Sequence, residues 1–260
     1  MMQEWFQKAK LGIFIHWGVY AVNGIPESWS FWRGQISYED YMKQLDGFTA
    51  KHYDPEKWAA LFKEAGARYA VLTSKHHDGV ALFDTKYTNL NTVKQSAAGR
   101  DLIAPYCQAL RQAGLKTGIY FTNTDWSDMD NLSVILDKSA AEIQELRHHK
   151  TDFGAIQGAV AAKSKQHPVK DPEAEEAWAR FMQRYRGEIR ELLENYGGVD
   201  LLWFDVMMTR EGYSWEADKV RDMIHSISPQ TVINGRLVGA GDYFTPELYI
   251  PLRAPEGPWE

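Results

Sequence analysis

Val199-Asp-Leu-Leu-Trp-Phe-Asp205 decides how the rest of the chain is read. The segment is short, apolar and strand-prone, and it ends on a carboxylate. A long helical pattern precedes it, and Gly197-Gly198 marks the break. Near-continuous apolar runs bounded by turn signals are typical of parallel strands buried on both faces. In a barrel of alternating strands and helices, a polar residue at a strand's C-terminal end faces the mouth where the site is built. Asp205 occupies such an end. Taken alone, an aspartate there more often caps the next element than does chemistry. Four other strands that end in polar residues shift the weight toward chemistry.

Working outward, the helix that delivers the chain into this strand runs from Glu173 to Tyr196, with Trp178, Phe181, Tyr185, Ile189, Leu192 and Tyr196 as its apolar stripe. The first strand is Leu11-Gly-Ile-Phe-Ile-His16-Trp17-Gly18, followed by a loop over 19–35 that carries Trp29, Phe31 and Trp32. A short helix at about 38–46 precedes a better marked one from Tyr53 to Gly66, with Asp54 as cap, Pro55 in the first turn, and Trp58, Leu61, Phe62 and Ala65 facing the core. The second strand, Tyr69 to Lys75, runs directly into His76-His77-Asp78-Gly79. Adjacent histidines in a strand face opposite ways, but both reach one pocket if the backbone turns there. Asp101 caps the next helix, Gly114 stops it, and Leu115 to Asn123 is the third strand. Residues 127–173 have helical spacing to about Lys150 and no clear period over 151–172; they read as an insertion or lid on the active-site side. His148-His149 sits on a solvated helix end and receives no role. A helix over Trp215 to Ile227 leads to the fifth strand, Thr231 to Arg236, then to the polar loop Gly241 to Glu247 and a short extended run to Pro251.

Strand and helix alternate throughout, the pattern of a parallel sheet with helical crossovers. The expected fold is α/β, a TIM-like (β/α) barrel in a single domain over 1–260. About five strands are clear where a closed barrel takes eight, so either the insertion hides elements or the barrel is incomplete on its C-terminal side.

The chain carries 29 basic and 35 acidic side chains, a formal charge of −6, which argues against nucleic acid and anionic membrane as partners. Its single cysteine, Cys107, excludes an internal disulfide framework and falls inside a helical pattern, as packing. No apolar run approaches the roughly 20 residues of a membrane span. The N-terminus lacks the layout of a signal peptide, which places the chain in the cytoplasm, or outside it if a leader has been removed. Aromatic residues are abundant, with 10 Trp, 13 Tyr and 11 Phe. Most belong to the core, but aromatic faces also cover the apolar sides of sugar rings.

The residues at successive strand exits are His16, His76, His77, Tyr120, Asp205, Arg236 and, in the last loop, Glu247. Two carboxylates among histidines, an arginine and aromatics suit glycoside hydrolysis, in which one carboxylate attacks or directs water and the other donates a proton. The fragments Ala9-Lys-Leu-Gly-Ile-Phe-Ile-His-Trp-Gly18, Leu72-Thr-Ser-Lys-His-His-Asp-Gly79 and Leu202-Trp-Phe-Asp205, in this order, resemble the α-L-fucosidases of glycoside hydrolase family 29. The resemblance runs from about Glu4 to Glu260. It implies a TIM-related barrel and a retaining, two-step mechanism on α-L-fucosides that needs no cofactor. Asp205 matches the family nucleophile, and His16, His76 and His77 match residues that hold fucose hydroxyls. Arg236 matches a sugar-contacting arginine, and Tyr120 or Phe121 falls at a pocket tyrosine. Trp29 matches a pocket tryptophan, but the family's Glu-Trp is Ser28-Trp29 here, with Glu27 one step earlier. Thr245-Pro246-Glu247 resembles the segment with the acid/base glutamate, with Glu256 and Glu260 as further candidates. Family members continue past this point and often add a β-sandwich, absent here; an open barrel edge is a pairing liability that a homo-oligomer would cover. Two other readings stay open: a non-catalytic fucose-binding remnant, and a metal-dependent barrel hydrolase with His16, His76, His77 and Asp205 as ligands.

Overall fold

A computed structural model describes residues 3–166, 171–208, 210–237, 239–246, 252–253 and 257. Its frame is a five-stranded parallel sheet in sequential order: β1 (Gly12–Ile15), β2 (Tyr69–Lys75), β3 (Lys116–Thr122), β4 (Leu201–Asp205) and β5 (Val232–Ile233). Every crossover is helical, in the manner of a TIM-like barrel, and the sheet does not close among the described residues. The N-terminal helix α1 (Glu4–Lys8) sends Phe6 against Val71, Tyr120, Leu201, Val232 and Tyr243, a cluster on the inner face of the sheet.

The helices outside the sheet are α2 (Trp29–Trp32), α3 (Tyr38–Met42), α4 (Pro55–Glu64), α5 (Ile103–Ala113), α6 (Met129–Leu136), α7 (Ala140–Arg147), α8 (Phe153–Gln166), α9 (Pro172–Asn195) and α10 (Ala217–Ile227). Their punctuation follows the sequence. Asp54 caps α4 through Lys57 N–H with Pro55 in the first turn, and Gly114 ends α5 at φ +75°. Asp101 caps α5 from one residue further out than expected, its Oδ1 accepting from Ile103 and Ala104 N–H at 2.8 Å each. All six stripe residues of the 173–196 helix are buried.

The structure corrects two readings. Leu61 and Ala65 are exposed, and the buried face of α4 is Ala59 and Phe62. The stripe is narrower than the spacing implied, because α4 meets its neighbours along one edge. Residues 153–166 are helical although they show no period. Only Phe153 and Ser164 of α8 are buried, so nothing imposes an apolar stripe on it.

Two strands are shorter than their apolar runs because side chains replace the backbone ladder. At the end of β1, Thr73 Oγ1 accepts from Trp17 N–H at 3.0 Å and donates to Trp17 C=O at 2.5 Å. Beyond β5, Asn234 binds both backbone groups of Phe204, accepting from its N–H at 2.8 Å and donating to its C=O at 2.9 Å.

A buried ionic cluster joins β2 and β3 to α9. Lys75 Nζ lies 2.5 Å from Glu188 and 3.1 Å from Asp125; Arg184 contacts Asp125 at 2.7 Å, Asp128 at 2.5 Å and Glu188 at 3.1 Å. Burial alone would raise the pKa of Asp125, but Lys75 and Arg184 outweigh it and hold the carboxyl well below its ordinary range. Burial and the charge of Asp125 push Asp128 the other way. Removing one member strands buried charge, so Lys75→Met is expected to lower stability by about 3–5 kcal/mol. Urea denaturation checks this, and a loss under about 1 kcal/mol would show that the cluster is not held as a unit.

Candidate active site

Strand alternation builds the inner wall. Residues two apart share a face, and the register sets Phe14 beside Val71, Tyr120 beside Trp203, and Thr122 beside Asp205. His16 continues the Gly12, Phe14 row. Tyr120, Thr122, Trp203 and Asp205 therefore face one space. Trp203 and Tyr120 stack at 5.7 Å and 19°, and the Arg236 guanidinium lies 4.7 Å over the Trp203 ring.

Both histidines of the His76-His77 pair reach this space because β2 breaks its regularity. The β2–β3 pairing shifts between Thr73 and Lys75, so Ser74 is bulged out. After Lys75 the chain folds back: Gly79 N–H bonds His76 C=O at 3.0 Å and Leu82 N–H bonds Ser74 C=O at 2.7 Å. Gly79 is in the left-handed region at φ +81°, and a Cβ there would sit 1.9 Å from Ser127 Oγ. The two imidazole centroids lie 4.4 Å apart; His76 also stacks on Tyr120 at 14° and lies 4.7 Å from His16.

Asp205 is the centre of this space. Its Oδ1 accepts from Arg236 Nη1 and, at 3.0 Å, from Val206 N–H; its Oδ2 accepts from Tyr120 OH at 2.8 Å and lies 3.6 Å from His77 Nε2. Burial pushes the carboxyl up, but His77, Arg236 and Tyr120 outweigh it and hold it below its ordinary value. Burial and the Asp205 charge keep the Tyr120 phenol protonated, so it remains a donor. Val206 follows at φ +42°, a strained conformation for a β-branched residue, and its N–H donates to Asp205 Oδ1.

His16 stands exposed at the rim, with Phe14, Tyr20, His76 and Tyr120 packed on its inner side. Their desolvation lowers its pKa against the pull of Glu27 and Asp205. Trp29, half-buried at the start of α2, meets His77 edge-on at 5.8 Å and Trp126 at 5.0 Å. Of Tyr120 and Phe121, Tyr120 faces this space and donates to Asp205, whereas Phe121 turns outward under Lys75. Glu247, Glu256 and Glu260 lie outside the described residues. His148 and His149 are exposed beside Glu39 and Glu145, away from the site.

Several residues that shape the site were not singled out in the sequence as contributors to it. Thr122 holds His77 Nδ1; Asn123 accepts from Tyr185 OH at 2.6 Å and sends its backbone N–H to Asp205 C=O at 2.9 Å. Asn234 clamps Phe204, the residue before Asp205. All are polar residues inside apolar runs, which is the one signal that could have marked them. One ligand atom from each of His76, His77 and Asp205 falls within 4.8 Å of the others, a set able to hold a cation. The charge of Asp205 is already met on its other oxygen by the Arg236 guanidinium.

The chain belongs to the alpha-L-fucosidase family: the family model of that description matches residues 1–260. Tissue α-L-fucosidase of Bos taurus is 36% identical over 141 residues, which is 48% of this chain and 30% of that protein. Among solved structures, α-L-fucosidase isoenzyme 1 from Paenibacillus thiaminolyticus aligns at a TM-score of 0.77 and 33% identity, covering 98% of this chain and 59% of that one. An unliganded α-L-fucosidase from Lactobacillus casei aligns at 0.72 and 28%, covering 95% and 74%. The chain thus spans less than two thirds of the length of the curated relatives it matches.

Behind the site, Asp78 is buried with Tyr41 OH at 2.6 Å and Val80 N–H at 2.9 Å as donors, and burial raises its pKa to about 6. The folded state therefore holds this proton more tightly than the unfolded chain, where the value is near 3.8. The resulting stabilisation is full below pH 4 and is lost as pH rises through 6. Relative to Asp78→Asn, the wild type is expected to lose up to about 3 kcal/mol between pH 4 and 7. Urea midpoints across that range measure it, and a pH-independent difference would refute it.

Proposed function

We propose that this chain is the catalytic domain of a retaining α-L-fucosidase that removes terminal α-L-fucose from fucosylated glycans or glycosides. The observation that carries the reading is Asp205: a carboxylate held charged at a strand end, with donors on both oxygens. Oδ1 takes the Arg236 and Val206 donors, and Oδ2 takes only Tyr120. Oδ2 is therefore the oxygen with a lone pair left to attack the anomeric carbon.

In the first step Asp205 bonds to that carbon, and the glycosidic oxygen leaves with a proton from Glu247. In the second, Glu247 takes a proton from water, which displaces Asp205 and restores the starting configuration. In this reading His16, His76 and His77 bond fucose hydroxyls, Trp29 covers an apolar ring face, and Arg236 contacts the sugar beside the nucleophile. The mechanism needs no metal and no cofactor. The single-domain layout and the lid role of 127–173 belong to the same proposal. Phe153 of that segment stacks on Trp32 at 5.6 Å, and Trp32 stacks on Trp126 at 4.0 Å, which ties it to the wall of the pocket and so to aglycone selection.

Wild-type protein is expected to release 4-nitrophenol from 4-nitrophenyl α-L-fucoside, and Asp205→Ala to lose at least about a thousandfold in kcat. Added azide should rescue the variant, giving a fucosyl azide of inverted configuration. A wild type without turnover, or a variant that keeps it, would overturn the reading. Tyr120→Phe removes a donor to the ionised carboxylate. It is expected to move the acid limb of kcat/KM upward by about one pH unit; an unmoved limb would remove Tyr120 from that role.

A further inference from the structure

Ser28 is fully buried, and no side-chain role falls to it in the chemistry above. It stands where the resemblance would have an acidic residue. Its Oγ lies 2.5 Å from His76 Nδ1 and accepts from Asp78 N–H at 2.8 Å. Buried as it is, the hydroxyl cannot reach a sugar in the pocket. It touches the face of His76 that points away from the site.

The direction of the Ser28–His76 bond sets what His76 offers to a ligand. A hydroxyl has one proton to give and two lone pairs. Asp78 N–H takes one lone pair. If Ser28 donates to Nδ1, the His76 proton sits on Nε2. In the reverse arrangement His76 donates, and the buried Ser28 proton must find another acceptor. The alternative is Tyr41 Oη, which gives its own proton to Asp78 Oδ2 at 2.6 Å and feels a hydrogen bond from Ser28, but the contact with the geometry of a full hydrogen bond is the one to His76 Nδ1 at 2.5 Å. An unsatisfied buried hydroxyl proton is costly, so the first arrangement is favoured. His76 is also held neutral, since burial and the nearby His77 and His16 rings push its pKa well down.

His77 is fixed in the opposite sense. Thr122 Oγ1 donates its single proton to Thr124 C=O at 2.8 Å, so it must accept from His77, and Nδ1 of His77 carries a proton. His77 Nε2 is buried without a hydrogen-bond partner, beside Asp205.

We propose that Ser28 is a positioning residue: it locks His76 as the neutral Nε2–H tautomer, so that this histidine presents a hydrogen-bond donor to a substrate oxygen while its neighbour His77 is protonated on Nδ1. The substrate part of the proposal rests on the fucosidase reading; the tautomer part does not. Two adjacent histidines thereby differ in what their Nδ1 atoms do, His76 accepting from Ser28 and His77 donating to Thr122, and the difference is set by hydroxyls behind the pocket.

The test is 15N NMR of the imidazole nitrogens in the ligand-free protein, for the wild type, Ser28→Ala and Ser28→Thr. The wild type is expected to show His76 with a bare Nδ1 and a protonated Nε2. Ser28→Ala should redistribute the proton toward Nδ1, and Ser28→Thr should restore the wild-type pattern. With 4-nitrophenyl α-L-fucoside, Ser28→Ala should raise KM about tenfold with a smaller effect on kcat, and Ser28→Thr should recover it. A His76 proton on Nδ1 in the wild type, or an unchanged pattern in Ser28→Ala, overturns the proposal even if the fucoside is turned over. The expected tautomers in a protein that turns over no fucoside uphold the role of Ser28 and overturn the function instead.

Discussion

Burying a carboxylate at the end of a strand is unfavourable unless its charge is met, and the neighbourhood of Asp205 is arranged to meet it. Arg236 supplies the opposite charge, Tyr120 and the Val206 N–H supply donors, and His77 stands at 3.6 Å. Each comes from a different element: the loop after β5, the middle of β3, the exit of β4 and the turn after β2. The carboxylate is therefore a point where the sheet's order and register are cross-checked. Slipping β3 against β4 by one residue would turn Tyr120 outward and bring Phe121 to face the charge.

Departures from regular geometry do much of this placing. A straight β2 would send His76 and His77 to opposite faces; the bulge at Ser74 and the turn at Gly79 bring both inward. Thr73 and Asn234 end the backbone ladders early by supplying the missing hydrogen bonds from side chains. That frees His16 and Arg236 from the pairing that would hold them in line. The chain then leaves β4 through Val206 in a strained conformation, with its N–H bound to Asp205.

The sequence made the inner wall legible because alternation and polar strand ends are local signals. His16, Tyr120, Asp205 and Arg236 each follow an apolar run, and the structure groups them. What it could not display is equally specific. Ser28 and Thr122 act through the unreacting sides of histidines, a relation between residues 48 and 45 positions apart with no pattern of their own. Helix α8 lacks a stripe because it buries almost nothing, and Leu61 was assigned to the core by a spacing that the packing of α4 does not use. The acid/base carboxylate is the other limit: Glu247, Glu256 and Glu260 fall outside the described residues, whereas Asp205 carries its own strand as a label.

The ionic cluster outside the sheet and the carboxylate inside it are mechanically one system. Lys75 and His76 are consecutive, and the end of β2 sends one outward to Glu188 and Asp125 and the other inward. Asp125 also accepts from Ser127 N–H and Oγ at 2.9 and 2.6 Å, fixing the turn that carries Trp126. Trp126 N–H binds His77 C=O at 2.8 Å, and its ring lies 4.5 Å from the His77 imidazole. A shift of Lys75 thus reaches the histidines through the chain itself, and a shift of Asp125 reaches them through Trp126. Buried charge on the outer face therefore does more than hold α9 to the sheet. By fixing both ends of the β2 turn, it limits how far the imidazoles can move relative to Asp205, which is the condition under which a proton placed on one nitrogen rather than another has a consequence.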